Sequence, residues 1–324
     1  MRRKKEEETE EIIEATPSAL QFFSSGCTPL DLVLGGGYPL GRISNIVGDK
    51  STAKTGLIIE ASANFNISYP EGDVHYVEAE SAFDIPYAKT MGLPEKTIIT
   101  SDITTVEGLF NYISNIIKEY KNKNIPTLCA VDSLDALSDE EEMGREINKG
   151  SYGANKAKKL SEMFRRLTKD IDSSNICLLI VSQTRDKIGA MFGEKHSRSG
   201  GRALDFYASL IVWLSEVEKI TKQSKGVKRI TGIKVKAYCK KNKISKPFRA
   251  CEFPYMFGYG IDNIQAGIEF LESVKINIEE LGFDKEFMKN VYSGKELEKR
   301  LDEQVIKHWR EIEAQFDFGH NKYV

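Results

Sequence analysis

Short apolar runs alternate along the middle of the chain with longer segments whose apolar residues recur every three or four positions. Continuous apolar runs are typical of strands buried on both faces, and the longer spacing is typical of helices. The predicted strands are Arg42–Val47, Val74–Ala79, Thr97–Thr100, Leu128–Asp132, Ile176–Ser182 and Ser209–Leu214. The predicted helices are Thr55–Asn66, Ile85–Met91, Val106–Lys121 and Asn155–Ile171. This alternation predicts an α/β fold with a mostly parallel sheet covered by helices on both faces.

The two ends of the chain differ from this rhythm. Residues 1–15 are nearly all charged, which is typical of a solvated arm or of a helix that docks on a partner. Residues 230–238 (ITGIKVKAY) alternate apolar and polar, as in a half-exposed antiparallel strand. Near the C-terminus one apolar helix face is predicted, formed by Leu297, Leu301, Val305, Trp309 and Ile312.

These patterns predict three parts. Residues 1–24 form a charged N-terminal segment and a candidate oligomerisation arm, residues 25–266 form the α/β core, and residues 267–324 form a small α-rich C-terminal domain.

Composition and charge narrow the function classes. Of the 324 residues, 40% are hydrophobic and 29% are charged, which is ordinary for a globular protein and excludes a disordered chain. The formal net charge of −2 excludes binding to nucleic acid through overall charge. Any such binding therefore requires a local basic patch, and residues 222–249 supply one because they hold eleven Lys and Arg and no acid.

The cysteines, the histidines and the N-terminus point to a reduced compartment. The five cysteines include no C-x-x-C pair, and the four histidines include no H-x-x-x-H pair, so neither a disulfide framework nor a zinc site is expected. The basic start is followed by no apolar core of a signal peptide, and no apolar run is long enough to span a membrane. A cytoplasmic protein is predicted.

A phosphate-binding loop is predicted between the first strand and the first helix. The segment GDKSTAKT follows the pattern G-x-x-x-x-G-K-[ST] except that Ala53 replaces the second glycine. Backbone N–H groups of such a loop converge on phosphate, Lys54 adds a positive charge, and the Thr55 hydroxyl suits Mg²⁺. The predicted nucleotide-binding residues of the loop are Gly48, Asp49, Lys50, Ser51, Thr52, Ala53, Lys54 and Thr55.

An acid at the end of another strand strengthens this interpretation. Asp132 ends the apolar run LCAVD, a strand expected next to the strand that precedes the loop, and a carboxylate there would complete a Mg²⁺ site. A carboxylate that only caps the next turn is the alternative. The loop and the acid together predict binding of a nucleotide with Mg²⁺.

Six segments carry a resemblance to a known family. They are TPLDLVLGGGYPLGRI (28–43), the loop (48–55), YVEAESAFDIPYAKTMG (76–92), LCAVDSLDAL (128–137), VSQTRDKIGAMFGEKHSRSGGRALDFYAS (181–209) and KKNKISKPFRACEF (240–253). In this order and spacing the chain resembles the RecA family of ATP-dependent DNA recombinases from about residue 25 to residue 261. The resemblance implies a RecA-like P-loop ATPase core.

Some features depart from the family pattern. Ala53 replaces a glycine, Glu78 stands where an aspartate is usual, the N-terminus is short, and the acidic C-terminal tail of many bacterial members is missing. These departures are typical of a divergent or phage-encoded member, with the UvsX type as one candidate.

The resemblance implies roles in ATP hydrolysis for four residues. Glu80 matches the glutamate that orients or deprotonates the attacking water, and Gln183 matches the sensor of the γ-phosphate. Lys241 and Lys243 match the pair that reaches the γ-phosphate of a neighbouring protomer. From the residues alone, Glu80 could also be a surface acid, Gln183 a structural amide, and the two lysines part of a solvated basic run.

Adenine contacts are implied for two further pairs. Asp84 and Tyr87 match a carboxylate near the exocyclic amine and a ring that stacks on the base. Phe257 and Gly258 match the segment that closes the other side of the base, although Phe257 would serve equally well as a core aromatic.

Two loops are expected to bind single-stranded DNA. Residues 184–202 are rich in glycine and cations and hold apolar side chains, which suits contacts with phosphates and insertion between bases. The implied contact residues are Arg185, Lys187, Ile188, Met191, Phe192, Arg198, Gly200, Gly201 and Arg202. A second loop, about residues 144–154, contributes Tyr152. The basic segment 222–249 is expected in part to guide double-stranded DNA.

The expected function is that of a DNA-dependent ATPase that binds ATP and Mg²⁺ at protomer interfaces, forms a helical filament on single-stranded DNA and exchanges strands with a homologous duplex. Two alternatives are a filament-forming single-stranded DNA-binding or regulatory protein with little ATP turnover, and a hexameric helicase-like motor.

Overall fold

The fold is seen in a computed structural model. The structure describes residues 20–81, 83–144, 153–186, 196–198 and 201–319. For residues 153, 154, 185, 186, 196–198, 201, 202 and 285 it describes the backbone and not the side chains.

Strands and helices alternate as predicted through the middle of the chain. The strands are β1 (Phe22–Phe23), β2 (Tyr38–Pro39), β3 (Ile43–Gly48), β4 (Asp73–Glu78), β5 (Ile98–Thr100), β6 (Thr127–Asp132), β7 (Ile176–Asp186), β8 (His196–Arg198), β9 (Leu210–Ser224), β10 (Val227–Asn242), β11 (Ala250–Met256) and β12 (Gly260–Ile261). The helices are α1 (Thr28–Leu34), α2 (Lys54–Ser68), α3 (Ile85–Thr90), α4 (Val106–Tyr120), α5 (Glu140–Met143), α6 (Gly153–Asp172), α7 (Gly201–Tyr207), α8 (Asn263–Ser273), α9 (Lys285–Asn290) and α10 (Lys295–Gln315). A short 3₁₀ turn, Val291–Ser293, joins α9 to α10.

The main sheet has the strand order β12-β11-β10-β9-β3-β7-β6-β4-β5, and β8 pairs with β7 outside this row. The strands from β9 to β5 are parallel, which confirms the predicted mostly parallel sheet. The strands from β9 to β12 are antiparallel, as predicted for residues 230–238.

Apolar side chains of the parallel strands pack on both faces of the sheet. In β3, Ile46 belongs to the cluster that includes Leu57 of α2, whereas Ile43 belongs to the cluster that includes Ile113 of α4 and Phe164 of α6. Alternate residues of a strand point to opposite faces, so a continuous apolar run is needed to fill both clusters.

A third cluster joins the C-terminal helices. Ile264 and Leu271 of α8 pack with Leu301 and Val305 of α10, two of the five residues predicted to share an apolar face. The predicted boundary at residue 267 falls inside α8, which begins at Asn263. The division into domains therefore stays a prediction.

All five cysteines are buried thiols. Within the described ranges, no helix combines the length and the apolar composition that crossing a bilayer would require.

Candidate nucleotide-binding site

The predicted phosphate-binding loop connects β3 to α2 at the carboxyl edge of the sheet. A Cβ at Gly48 would lie 2.4 Å from Oγ1 of Thr52, so a glycine is required where the loop turns back on itself. Ala53 has φ 63° and ψ 22°, the left-handed conformation that glycine adopts without strain. The chain therefore keeps a glycine-like backbone at the position where it departs from the family pattern, and an alanine bears the strain.

Lys54 is the first residue of α2 and its side chain is largely buried. Nζ donates a hydrogen bond to the carbonyl oxygen of Asp49 at 2.5 Å, which closes the loop over the helix start. Burial is the main cause that lowers the pKa of Lys54, against nearby carboxylates that raise it. The N-terminus of α2 has no side-chain cap and no acid in its first turn, so its N–H groups and this cation suit an anion.

A hydroxyl and a carboxylate lie side by side next to the loop. Oγ1 of Thr55 donates to Oδ2 of Asp132 at 2.7 Å, and Oη of Tyr76 donates to the same oxygen at 3.0 Å. Burial raises the pKa of the Asp132 carboxyl, and the two hydrogen bonds oppose that shift. The prediction that β6 lies next to β3 is wrong, because β7 lies between them. The two side chains still meet, because Thr55 lies in the first turn of α2, and Tyr76 was not predicted.

The oxygen atoms of Thr55 and Asp132 fit Mg²⁺ bound together with nucleotide phosphates. Mg²⁺ in such sites is held by one or two protein oxygens, by phosphates and by water. The described residues hold no group of three or more His, Cys, Asp or Glu that could bind a metal by themselves. Thr55 and Asp132 therefore suit a metal that arrives with its nucleotide.

Glu80 and Gln183 meet at the same edge, although they are far apart in the chain. Oε1 of Glu80 accepts hydrogen bonds from Oγ of Ser133 at 2.5 Å and from Nε2 of Gln183 at 2.8 Å. The backbone N–H of Glu80 donates a hydrogen bond to Oε1 of Glu78, and the backbone N–H of Gln183 donates one to Oδ2 of Asp135. A single strand, β6, lies between β4 and β7 in the sheet. The side chains at the ends of β4 and β7 are therefore close enough to meet.

The residues predicted to contact adenine lie on two surface segments. Asp84 caps α3 by accepting a hydrogen bond from the N–H of Tyr87, whose ring is exposed. Phe257 is exposed and Gly258 has a positive φ in the turn between β11 and β12. That turn lies near the start of α2, because a Cβ at Gly56 would clash with the ring of Tyr255. The geometry leaves both rings accessible, and their contact with a base stays a prediction.

Lys241 and Lys243 both contact the C-terminal end of α7. Nζ of Lys241 donates to the carbonyl oxygens of Asp205 and Phe206 at 2.5 and 2.9 Å, and Nζ of Lys243 donates to that of Phe206 at 3.2 Å. Cations at the carbonyl end of a helix stabilise it. The two lysines therefore contact the same helix end and have partners within the protomer.

The side chains predicted to bind DNA lie outside the described part of the structure. Lys187, Ile188, Met191, Phe192, Gly200 and Tyr152 lie outside the described residues, and Arg185, Arg198, Gly201 and Arg202 are described by their backbone. The backbones of β7 and β8 pair around this loop, with Arg185 opposite Ser197.

The basic segment 222–249 is partly neutralised by acids from other elements. Lys234 pairs with Glu218 and Glu269, and Lys236 pairs with Glu252. Lys246 and Arg249 both pair with Glu313 of α10. These four cations have carboxylate partners, so the whole segment cannot be counted as a free basic patch.

Comparisons with known proteins show the family of the chain. The family model of the RecA N-terminal domain matches residues 9–262. The chain is 32% identical to Protein RecA of Synechococcus sp. (strain CC9902) over 263 residues, which are 81% of this chain and 67% of that protein. It is also 32% identical to Protein RecA of Trichodesmium erythraeum (strain IMS101) over 263 residues, which are 81% of this chain and 70% of that protein.

Proposed function

The chain belongs to the RecA family, and from that premise we propose that it is a DNA-dependent ATPase of homologous recombination. It would bind ATP and Mg²⁺ between protomers, form a filament on single-stranded DNA and exchange strands with a homologous duplex.

The hydrogen bond between Glu80 and Gln183 is the observation that carries the proposal. It joins the candidate base to the candidate γ-phosphate sensor at the edge that also holds Lys54, Thr55 and Asp132. A loop that only stored nucleotide would need no carboxylate and amide at this position.

The contacts suggest what each side chain does when ATP binds. Lys54 and the N-terminus of α2 would neutralise phosphate charge. Thr55 and Asp132 would hold Mg²⁺, which supplies further positive charge next to the phosphates. The amide of Gln183 can donate to the γ-phosphate if it leaves Glu80, and the Glu80 carboxylate then gains a lone pair for the proton of the attacking water. Gln183 lies in β7, directly before the candidate DNA loop, so this exchange would link nucleotide to DNA.

The test is phosphate release by Glu80→Gln with and without single-stranded DNA. The amide keeps the size of the side chain and cannot accept a proton, so nucleotide binding should persist while turnover falls about a hundredfold or more. Glu71→Gln, an exposed carboxylate at the opposite edge of the sheet, is the matched control and should behave as wild type. Turnover by Glu80→Gln at the wild-type rate would mean that another group activates the water.

A mixing experiment tests the action of Lys241 and Lys243 on a neighbouring protomer. A Lys54→Ala protein should fail to hold ATP, and a Lys241→Ala/Lys243→Ala protein should hold it without receiving cations from its like neighbours. In mixed filaments the first protein lends its lysines to the ATP of the second, so DNA-dependent phosphate release should return. Co-assembly without recovery would leave the two lysines as caps of α7.

Ala53 favours the alternative function, a filament-forming DNA-binding or regulatory protein with little ATP turnover. Its strained left-handed backbone lies in the phosphate-binding loop, where a small distortion misplaces the reacting phosphate. Wild-type protein that forms filaments on single-stranded DNA without DNA-stimulated phosphate release would favour a DNA-coating or regulatory role.

A further inference from the structure

The hydroxyl of Tyr255 is an unused donor at the candidate nucleotide-binding site. Tyr255 lies in β11, just before the turn that carries Phe257, and its side chain is only 8% exposed. Its hydroxyl forms no hydrogen bond with any of the described residues, yet the oxygen is not fully enclosed, so a ligand can reach it. A mostly buried hydroxyl without a partner is costly, and a ligand that supplies an acceptor removes that cost.

This hydroxyl lies against the start of α2. A Cβ at Gly56 would lie 2.1 Å from Oη and 2.4 Å from Cζ of Tyr255, so the phenol fills the space that a side chain at residue 56 would occupy. Gly56 follows Thr55 and is the third residue of α2. A glycine at this position therefore allows the tip of Tyr255 to reach the beginning of the helix.

Backbone donors are available at the same end of α2. The first backbone hydrogen bond of the helix runs from the N–H of Leu57 to the carbonyl oxygen of Ala53, so the N–H groups of residues 54–56 precede it. In phosphate-binding loops such N–H groups bind the α- and β-phosphates, while the lysine reaches the β- and γ-phosphates. Tyr255 thus adds a hydroxyl donor where the helix start already presents N–H groups to phosphate.

A second contact holds the end of β11 against α2. Oε1 of Glu60 accepts a hydrogen bond from the N–H of Ile261 at 2.8 Å, and a Cβ at Gly260 would clash with the same oxygen. Gly56 and Glu60 are four residues apart and therefore lie on one face of the helix. The chain is thus fixed to α2 before and after the turn, which holds the Tyr255 side chain in position.

Tyr255 also lies near the residues predicted to contact adenine. Burial, and after it the nearby phenol of Tyr87 and the carboxyl of Glu60, raises the pKa of Tyr255, so the hydroxyl keeps its proton and can donate at neutral pH. The tip of Tyr255 contacts the helix that begins with Lys54 on one side and has Tyr87 nearby on the other. The part of a nucleotide that joins the outer phosphates to the nucleoside is the α-phosphate.

We propose that the Tyr255 hydroxyl donates a hydrogen bond to a non-bridging oxygen of the α-phosphate of the bound adenine nucleotide. A hydrogen bond to a charged oxygen is about twice as strong as one between neutral groups. Gly56 and Tyr255 act together, because the glycine leaves the space and the phenol fills it with a donor. The assignment rests on the proposed function for the identity of the nucleotide, and it adds a residue that neither the loop motif nor the family resemblance indicated.

The experiment is a calorimetric titration of the full chain, without DNA, with Mg²⁺ and three ligands: ADP and the two diastereomers of adenosine 5′-O-(1-thiodiphosphate). Each diastereomer carries sulfur, a weak hydrogen-bond acceptor, at one of the two non-bridging positions of the α-phosphate. Tyr255→Phe should bind ADP about tenfold more weakly than wild type, because a hydrogen bond to a charged group is lost.

The diastereomers test whether the lost contact is made to the α-phosphate. Wild type should bind one of them about tenfold more weakly than ADP, whereas Tyr255→Phe should show a difference of about twofold or less, because sulfur and phenylalanine remove the same hydrogen bond. The other diastereomer should differ from ADP by the same factor in both proteins. A purely structural role for Tyr255 would lower all three affinities equally and leave these ratios unchanged.

Tyr259→Phe is the matched control, because it removes a hydroxyl from an exposed ring in the same turn, and it should leave all three affinities near wild type. Without nucleotide, Tyr255→Phe should melt no lower than wild type, since the hydroxyl has no partner among the described residues. Unchanged ADP affinity in Tyr255→Phe, unchanged diastereomer ratios, or an equal loss in Tyr259→Phe would each overturn this inference alone. Wild-type protein that binds no ADP would overturn the proposed function as well.

Discussion

The candidate nucleotide-binding edge of the sheet and the end of the β9–β10 hairpin (residues 219–231, called the ribbon here) lie on the same side of the sheet. The polar groups of these two regions have different kinds of partners. At the edge, Lys54 binds a carbonyl of its own loop, Thr55 binds Asp132, and Glu80 binds Gln183. On the ribbon, Lys222 faces Arg229 across the strands. The first region is organised by bonds within the chain, whereas the cations of the second have no carboxylate partner among the described residues.

This difference predicts how each region responds to substitution. A change at the edge removes a group from a hydrogen-bonded network in which Lys54 and Asp132 are buried, so it should alter orientation and ligand affinity strongly. A change on the ribbon removes an exposed charge, so it alters salt-dependent binding while the fold is kept or slightly stabilised. The predictions below run from the largest expected effect to the smallest.

Lys54→Ala should remove most of the affinity for ATP. The loop loses a buried cation at the start of α2, and a charged hydrogen bond to phosphate contributes about 3 kcal/mol, or about a hundredfold in affinity. Calorimetric titration with a slowly hydrolysed ATP analogue measures the change. Lys50→Ala removes an exposed cation from the same loop and should cost far less. Equal affinities in the two variants would remove Lys54 from the phosphate site.

Tyr76→Phe should raise the Mg²⁺ concentration needed for nucleotide binding by about tenfold, because Asp132 loses one of the two donors that orient its carboxylate. The ring remains stacked on Phe83, so packing is kept. Binding of a fluorescent nucleotide during a Mg²⁺ titration measures the shift without relying on turnover.

Tyr69→Phe is the control for this experiment, because its hydroxyl donates to the carbonyl oxygen of Phe22, away from the site. It should leave the Mg²⁺ dependence unchanged. If Tyr76→Phe requires the same Mg²⁺ concentration as the wild type, Thr55 alone is enough to orient Asp132.

Much of the edge could be predicted from the sequence because its signals are local. Each of the six predicted parallel strands begins within one residue of the observed start, because an apolar run begins where the chain enters the core. The loop, Thr55 and Asp132 follow from a motif and from a strand end. Tyr76 could not be predicted in this way, because its partner is set by the pairing of β4 with β6 and not by its neighbours in the chain.

The ribbon could not be predicted as a strand pair. The sequence predicts a strand at Ser209–Leu214, whereas β9 continues to Ser224. Residues 215–224 are almost entirely exposed, so no core imposes an alternation of apolar and polar residues on them. Positive charge was visible in the sequence, but which cations are paired with acids, such as Lys246 with Glu313 of α10, depends on the tertiary fold.

Ala53→Gly should raise the free energy of unfolding by about 1 kcal/mol, because glycine adopts a φ of 63° without the strain of a Cβ. Ala63→Gly makes the same change inside α2 and should lower it by about 1 kcal/mol. Urea unfolding shows whether each variant has a higher or a lower free energy of unfolding than the wild type. If Ala53 limits turnover, Ala53→Gly should also release phosphate faster. A loss of stability in Ala53→Gly would show that the Cβ of Ala53 stabilises the loop by packing on the adjoining apolar cluster.

Lys222→Gln should raise the free energy of unfolding by a few tenths of a kcal/mol at low salt, because it removes the repulsion from Arg229 across the strands. The gain should vanish at high salt, where exposed charges are screened from each other. Lys219→Gln is the matched control, since Lys219 lies opposite the apolar Ile233 and has no cation across from it. Urea midpoints of the three proteins at both salt concentrations give the comparison. An equal gain in both variants would mean that the stability of the ribbon depends on its total charge and not on the opposed pair.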